Sequence, residues 1–149
     1  MDIDDFLLIN VLRTAWAWLV YTWGGLHRYF GNMNNMRSEH ERAAHYFAHA
    51  YEIDPAFWQA RQARAVLLWR ELDQRVEAIR EFDALLKEDP MRGVALFNRA
   101  MAVQGLMGRY QESLDNFEAF LQLPNQDEDY RKDAELMVAS LRALLDEEA

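Results

Sequence analysis

Apolar residues in this chain recur three and four positions apart in most segments. Ala43, Phe47, Ala50 and Tyr51 follow that spacing, as do Ala78, Phe82, Leu85 and Leu86, and Leu114, Phe117 and Leu121. Such spacing lines one face of a 3.6-residue helix. No segment alternates apolar and polar positions for long enough to compete as a strand. The pattern predicts an all-α chain of seven helices, over residues 5–30, 38–53, 56–71, 74–88, 91–106, 110–122 and 127–146. The last carries Asp127, Glu128, Asp129, Arg131, Lys132 and Asp133 on its outer side, a polar face that suits the end of a helical array.

The punctuation between helices is periodic. The only three prolines, Pro55, Pro90 and Pro124, stand 35 and 34 residues apart, in YEIDPAF, LLKEDPM and FLQLPNQ. Self-similarity at that period predicts stacked helix pairs. Each proline is expected to end one helix and take the first position of the next, where its missing N–H costs no hydrogen bond. Asp54 and Asp89 are expected to cap the helices that follow. Ser38 and Glu41 fit a capping box, and residues 31–36, GNMNNM, read as an extended turn.

The segment of residues 6–23, FLLINVLRTAWAWLVYTW, raises a separate question. Its one charge is Arg13, and it holds three of the five tryptophans. A bilayer-spanning helix needs about 20 mainly apolar residues. The eight Leu, Ile, Val and Phe favour insertion by about 2.4–4.8 kcal/mol, and a central Arg opposes it by about 2.5–3.5 kcal/mol. Hydropathy alone therefore leaves the choice open. Pattern favours a packed helix, because Asn10, Arg13, Thr14, Ala17 and Tyr21 fall on one stripe, expected to be the wet face. The remaining circumference is apolar, so Phe6, Leu7, Leu8, Val11 and Ala15 are expected to stay bare as a self-association or docking edge.

With these marks the chain resembles the tetratricopeptide repeat (TPR) family over about residues 13–124. The second unit carries LDQRVEAIREFDALLKEDP, with Ala78 and Phe82 at the small and aromatic positions. The third matches at Ala100, Gly108, Tyr110, Ser113 and Phe117, and the first at Ala43, Phe47, Ala50 and Pro55. Leu85, Phe120 and Val66 depart from the family pattern by standing where small residues are usual, and Met107 reads as an insertion. The resemblance implies one TPR-like right-handed solenoid of three helix pairs, about 13–55, 59–90 and 94–124, plus a capping helix over 127–146. It also implies a concave groove that takes a peptide or helix of another protein. Carried over by position, the groove residues are Thr14, Ala17 and Tyr21, then Arg64, Leu67 and Arg70, then Phe97, Asn98 and Met101. Arginine forks pair with carboxylates, so an acidic segment is the expected ligand unless the chain's own glutamates, such as Glu71, take Arg64 and Arg70. TPR domains that clamp chaperone tails use a Lys/Asn/Asn/Lys/Arg set, of which only Asn98 and Arg64 have counterparts here.

Bulk composition narrows the rest. At 149 residues the chain can bury a core without a metal or disulfide staple. A net charge of −9 argues against nucleic acid as a partner, and the absence of cysteine removes thiolate chemistry. The acidic start, MDIDD, lacks the basic leader of a secretory signal, so a cytoplasmic location is expected, with membrane association as the secondary reading. His40, His45 and His49 lie close in sequence, but H-x-x-x-H without an intervening glutamate is a weak metal signal against a solvated helix face. No nucleophile elbow, phosphate-binding glycine loop or CxxC motif is present, and paired carboxylates are plentiful but scattered over charged helix surfaces, as chance alone gives with 25 acidic residues. The expectation is a scaffold or adaptor with no cofactor, no metal and no catalysis, able to form a homo-oligomer. The alternatives are a membrane-tethered assembly factor with residues 6–23 in or on the bilayer, and a metal-binding or hydrolytic domain built on the histidines.

Overall fold

The structure, a computed structural model, describes residues 3–147. Among them are seven helices and no strand: α1 (Ile3–Asn34), α2 (Arg37–Ile53), α3 (Trp58–Arg70), α4 (Arg75–Glu88), α5 (Gly93–Gln104), α6 (Tyr110–Gln122) and α7 (Glu128–Glu147). Two compact units divide the chain, one running to Asp73 and the other starting at Gln74. In the first, α2 packs on α1 and on α3. In the second, each of α4 to α7 packs on its neighbour in sequence.

The repeated turns differ from expectation in their mechanics. Pro55 and Pro90 lie in the turns, ahead of the first residues of α3 and α5. Asp54 and Asp89 close the preceding helices, and each folds the turn by accepting the N–H two residues on: Ala56 N–H to Asp54 Oδ1 at 3.2 Å, Met91 N–H to Asp89 Oδ1 at 3.0 Å. A short carboxylate reaches its own backbone more readily than a more distant helix end. The third copy lacks the aspartate, and Asn125 turns the chain instead with φ 55°. Ser38 lies inside α2 and caps nothing, since α2 already starts at Arg37. The cap of α7 is Asp127, whose Oδ1 accepts the N–H of Asp129 and of Tyr130. Met107, the expected insertion, sits 95% exposed in the α5–α6 turn, beside Gly108 at φ 76°.

Residues 31–34, expected as a turn, extend α1 to 32 residues, about 48 Å at 1.5 Å per residue. The α1–α2 connection shrinks to Asn35, in the left-handed region at φ 51°, and Met36. α2 has 17 residues and ends beside Thr14, so α1 outruns it by about three turns at its start. No described helix is long and apolar enough to cross a membrane.

Each unit has its own core. The first gathers Ala17, Val20, Ala50, Phe57 and Ala60, with Tyr21, Tyr46 and Tyr51 against them. The second is aromatic-rich: Phe97, Phe117 and Phe120 meet with Leu114, Ala134, Val138 and Leu141. The ring of Phe97 lies 5.5 Å from those of Phe117 and Phe120, edge-on in both cases. Small residues set the spacing, and Ser113, fully buried, donates its hydroxyl to the Ala100 carbonyl at 3.0 Å. Leu85 and Phe120, larger than the repeat pattern favours, are both buried and fill core volume.

Candidate functional site

The packed face of α1 is set by size. Ala17, Gly24 and Gly31 recur every seven residues, and all three are buried. A Cβ on Gly24 would lie 2.9 Å from the Phe47 ring, and one on Gly31 would lie 2.4 Å from the His40 ring. These small residues let α2 come close, with Phe47 and His40 filling the space that a side chain would need.

The polar stripe expected to face a wet groove lies on this same side. Thr14 donates its hydroxyl to Asp54 Oδ2 at 2.8 Å, and Arg13 stands 3.9 Å from Asp54 Oδ1. Tyr21 is half-buried among rings, 5.3 Å from Phe47 and 5.1 Å from Phe57. Ala17 has no exposed surface, so its assignment to the groove is corrected: it is core. Thr14 and Arg13 of the stripe fasten α1 to the turn after α2.

The other positional assignments divide in the same way. On α3, Leu67 is fully buried, Arg64 is half-buried with partners inside the chain, and Arg70 is exposed with its guanidinium 5.8 Å from the Trp69 ring. Glu71, the expected internal partner of these arginines, pairs with Arg28 at 2.7 Å. On α5, Phe97 is core and Asn98 is buried, its Nδ2 donating to the Val94 carbonyl at 2.8 Å. Neither can meet a ligand. Met101 is half-buried against the second core. Surface therefore remains at Thr14, Tyr21, Arg64 and Arg70 in the first unit, and at Met101 in the second.

The opposite side of α1 is bare and apolar. Phe6, Leu7, Leu8 and Val11 are 55–64% exposed, and Ala15 is exposed as well; Phe6, about five turns before Gly24, shares the packed side of the helix and is exposed where α1 outruns α2. The exposure continues far beyond that edge. Leu12, Trp16, Leu19, Trp23, Leu26 and Phe30 extend it to the end of the helix, at 43–63%. A cleft of about 430 Å³ opens beside this face, where Trp16, Leu19 and Trp23 meet Tyr46 and His49 of α2. The signal for its extent was in the sequence, because a seven-residue rhythm of Ala and Gly marks a close helix contact and leaves the far side free.

Charged groups elsewhere are mostly engaged within their units. In the second, Arg99 reaches Asp83 Oδ1 at 2.6 Å, Asn116 Oδ1 at 3.0 Å and Glu112 Oε1 at 2.9 Å, while Arg109 holds the other Glu112 oxygen. Burial opposes the charge on Arg99, but Asp83 and Glu112 outweigh it and hold the guanidinium above its ordinary range. Burial likewise works against Glu112, and hydrogen bonds from Arg109 and Arg99 overcome it, keeping the carboxyl below its ordinary range. In the first unit, Glu39 is held low chiefly by its 2.6 Å contact with His27 Nδ1, against desolvation and with help from Arg42. These networks tie helices together. The three neighbouring histidines do not converge: His40 is buried 2.9 Å from Asn32 Oδ1, whereas His45 and His49 are exposed. Among the described residues no cluster of three or more His, Asp or Glu could hold a metal ion.

No protein-family model matches the chain, and no curated protein matches it. Solved structures do. The Sgt2 TPR domain from Aspergillus fumigatus superposes with a TM-score of 0.64 at 18% identity, covering 83% of this chain and 80% of that one. The Arabidopsis OM64 TPR domain gives 0.63 at 20% identity, covering 83% and 98%. The first TPR of Spaghetti (RPAP3), bound to the HSP90 peptide SRMEEVD, gives 0.58 at 15% identity, covering 81% and 94%. The fold of this chain is that of TPR domains.

Proposed function

We propose that this chain is a protein-binding scaffold that takes a segment of another protein on the solvent faces of α1 and α3. The observation that carries this reading is the likeness of the fold to TPR domains, one of them solved with a bound peptide. The contact residues are the positional set that keeps surface in the first unit: Thr14, Tyr21, Arg64 and Arg70. Arg70, exposed beside an indole, supplies a planar cation for an acidic side chain of the partner.

The ligand is not a C-terminal carboxylate held in a lysine-rich clamp. The chain has two lysines, Lys87 and Lys132, which belong to α4 and α7, and Asn98 spends its amide on its own helix. The peptide SRMEEVD is therefore expected to bind no more tightly than a scrambled peptide in a fluorescence-polarisation titration. Specific binding of SRMEEVD would refute this part of the proposal.

The groove assignment is tested by capture of partners from lysate with the native chain and with Arg64→Glu and Arg70→Glu, each checked for native helicity. A partner held by the native chain and lost with Arg70→Glu supports it. Partners retained equally by all three chains would refute it.

A further inference from the structure

The bare face of α1 has an internal symmetry. Its outward residues are Leu8, Leu12, Leu19, Leu26 and Phe30, with Ala15 and Trp16 on one side of Leu19 and Thr22 and Trp23 on the other. Counted from Leu19, apolar residues recur at three or four, seven, and eleven positions in both directions. Leu12 is matched by Leu26, Leu8 by Phe30, and bulk is matched to its absence: Trp16 stands opposite Thr22, and Ala15 opposite Trp23. A pattern that reads the same both ways is what two antiparallel copies of one helix require, because a twofold axis at Leu19 brings position n of one copy against position 38 − n of the other.

We propose that two copies of this chain pair through the outer faces of their α1 helices, antiparallel about Leu19. This is independent of the peptide-binding reading. The overlap runs from Leu8 to Phe30, about 33 Å of helix. At about 200 Å² for a large side chain, Leu8, Leu12, Trp16, Leu19, Trp23, Leu26 and Phe30 present roughly 750 Å² of accessible area per copy. A stable interface buries about 800 Å² per partner, so this helix face alone comes close to that threshold. Large residues facing small ones allow the close interdigitation that such a seam needs.

Charge narrows the occupant further. Between Phe6 and Met33 the only Arg, Lys, Asp or Glu residues are Arg13 and Arg28, and both sit on the packed side, Arg28 paired with Glu71 and the half-exposed Arg13 at 3.9 Å from Asp54. The outer face has no charge with which to select a different charged partner. A lipid surface is a poorer fit, because helices that lie on anionic membranes carry Lys and Arg along their polar face, and this chain bears −9 overall.

The chain has no cysteine, which makes cross-linking a direct reading of register. Sedimentation of the native chain at tens of micromolar should give a dimer. Leu19→Glu places like charges at the twofold axis and should weaken dimerisation about 100-fold or more, with helicity unchanged because Leu19 is 63% exposed and outside the core. Under mild oxidation Leu19→Cys should form a disulfide dimer. Leu12→Cys alone should not, but an equal mixture of Leu12→Cys and Leu26→Cys chains should. A native monomer would overturn the proposal, as would a Leu19→Glu chain that stays dimeric. Efficient self-linking of Leu12→Cys would overturn the antiparallel register. Flotation of a monomeric native chain with phosphatidylcholine–phosphatidylglycerol vesicles would overturn it in favour of lipid.

Discussion

Gly24 and Gly25 are adjacent on α1, yet the structure gives them opposite roles. A methyl group on Gly25 meets nothing within 4 Å. A methyl group on Gly24 meets Cδ1 and Cε1 of Phe47 at 2.9 Å and Cβ of Tyr46 at 3.1 Å. Both changes to alanine gain the same helix propensity, about 1 kcal/mol in a helix interior. At Gly25 that gain stands alone. At Gly24 the Phe47 ring must retreat by about half an ångström to restore ordinary contact, and Phe47 is 2% exposed and packed against Tyr21. Forcing atoms into such a site costs about 1–3 kcal/mol, so Gly24→Ala should come out neutral to about 2 kcal/mol destabilising. The two variants should differ by about 1–3 kcal/mol. For a chain of this size that is roughly 3–9 °C in Tm by circular dichroism, with Gly25→Ala above the native chain and Gly24→Ala at or below it. Equal stabilisation by both would refute the close approach of α2 to α1, and with it the orientation that leaves the leucines and tryptophans of α1 outside.

Phe82→Ala should destabilise the second unit by about 3–5 kcal/mol in urea unfolding, since Phe82 is fully buried and its ring leaves a cavity; a loss below 1 kcal/mol would contradict that packing. Acid stability should depend on Glu39 and Glu112, whose folded-state pKa values lie below the ordinary 4.5. A depressed carboxyl pKa contributes stability that is present above the unfolded value and lost as pH falls through the folded one. Stability should therefore drop as pH is lowered below about 4.5, and Glu112→Gln should make that drop shallower; an unchanged slope would show that Glu112 is not protected by Arg99 and Arg109.

Helix number and type were legible because the apolar spacing of α2, α4 and α6 is set within each helix, by residues such as Phe47, Phe82 and Phe117 that find their cores from local periodicity alone. The turns were legible in place and not in mechanism. Pro55 and Pro90 marked them correctly, but whether Asp54 and Asp89 serve the helix before or after depends on a backbone angle that residue type does not fix. The groove residues fared worst. Ala17, Leu67, Phe97 and Asn98 were carried over by position, and a shift of one residue, 100° on a helix, separates a groove from a core.

The sequence by itself determined that this is an all-helical chain with a 34–35-residue rhythm and an N-terminal helix too apolar to be wholly solvated. Which side of that helix faces out was decided only in the tertiary structure. Polarity suggested that the Asn10–Tyr21 stripe should be wet, but packing favours the side with the smallest residues. Ala17, Gly24 and Gly31 allow α2 to approach, Glu71 holds Arg28, and Asp54 takes the Thr14 hydroxyl. A polar group with a partner inside the fold loses little by being buried, whereas a helix that cannot approach its neighbour loses the whole contact. The apolar side is left outward for that reason.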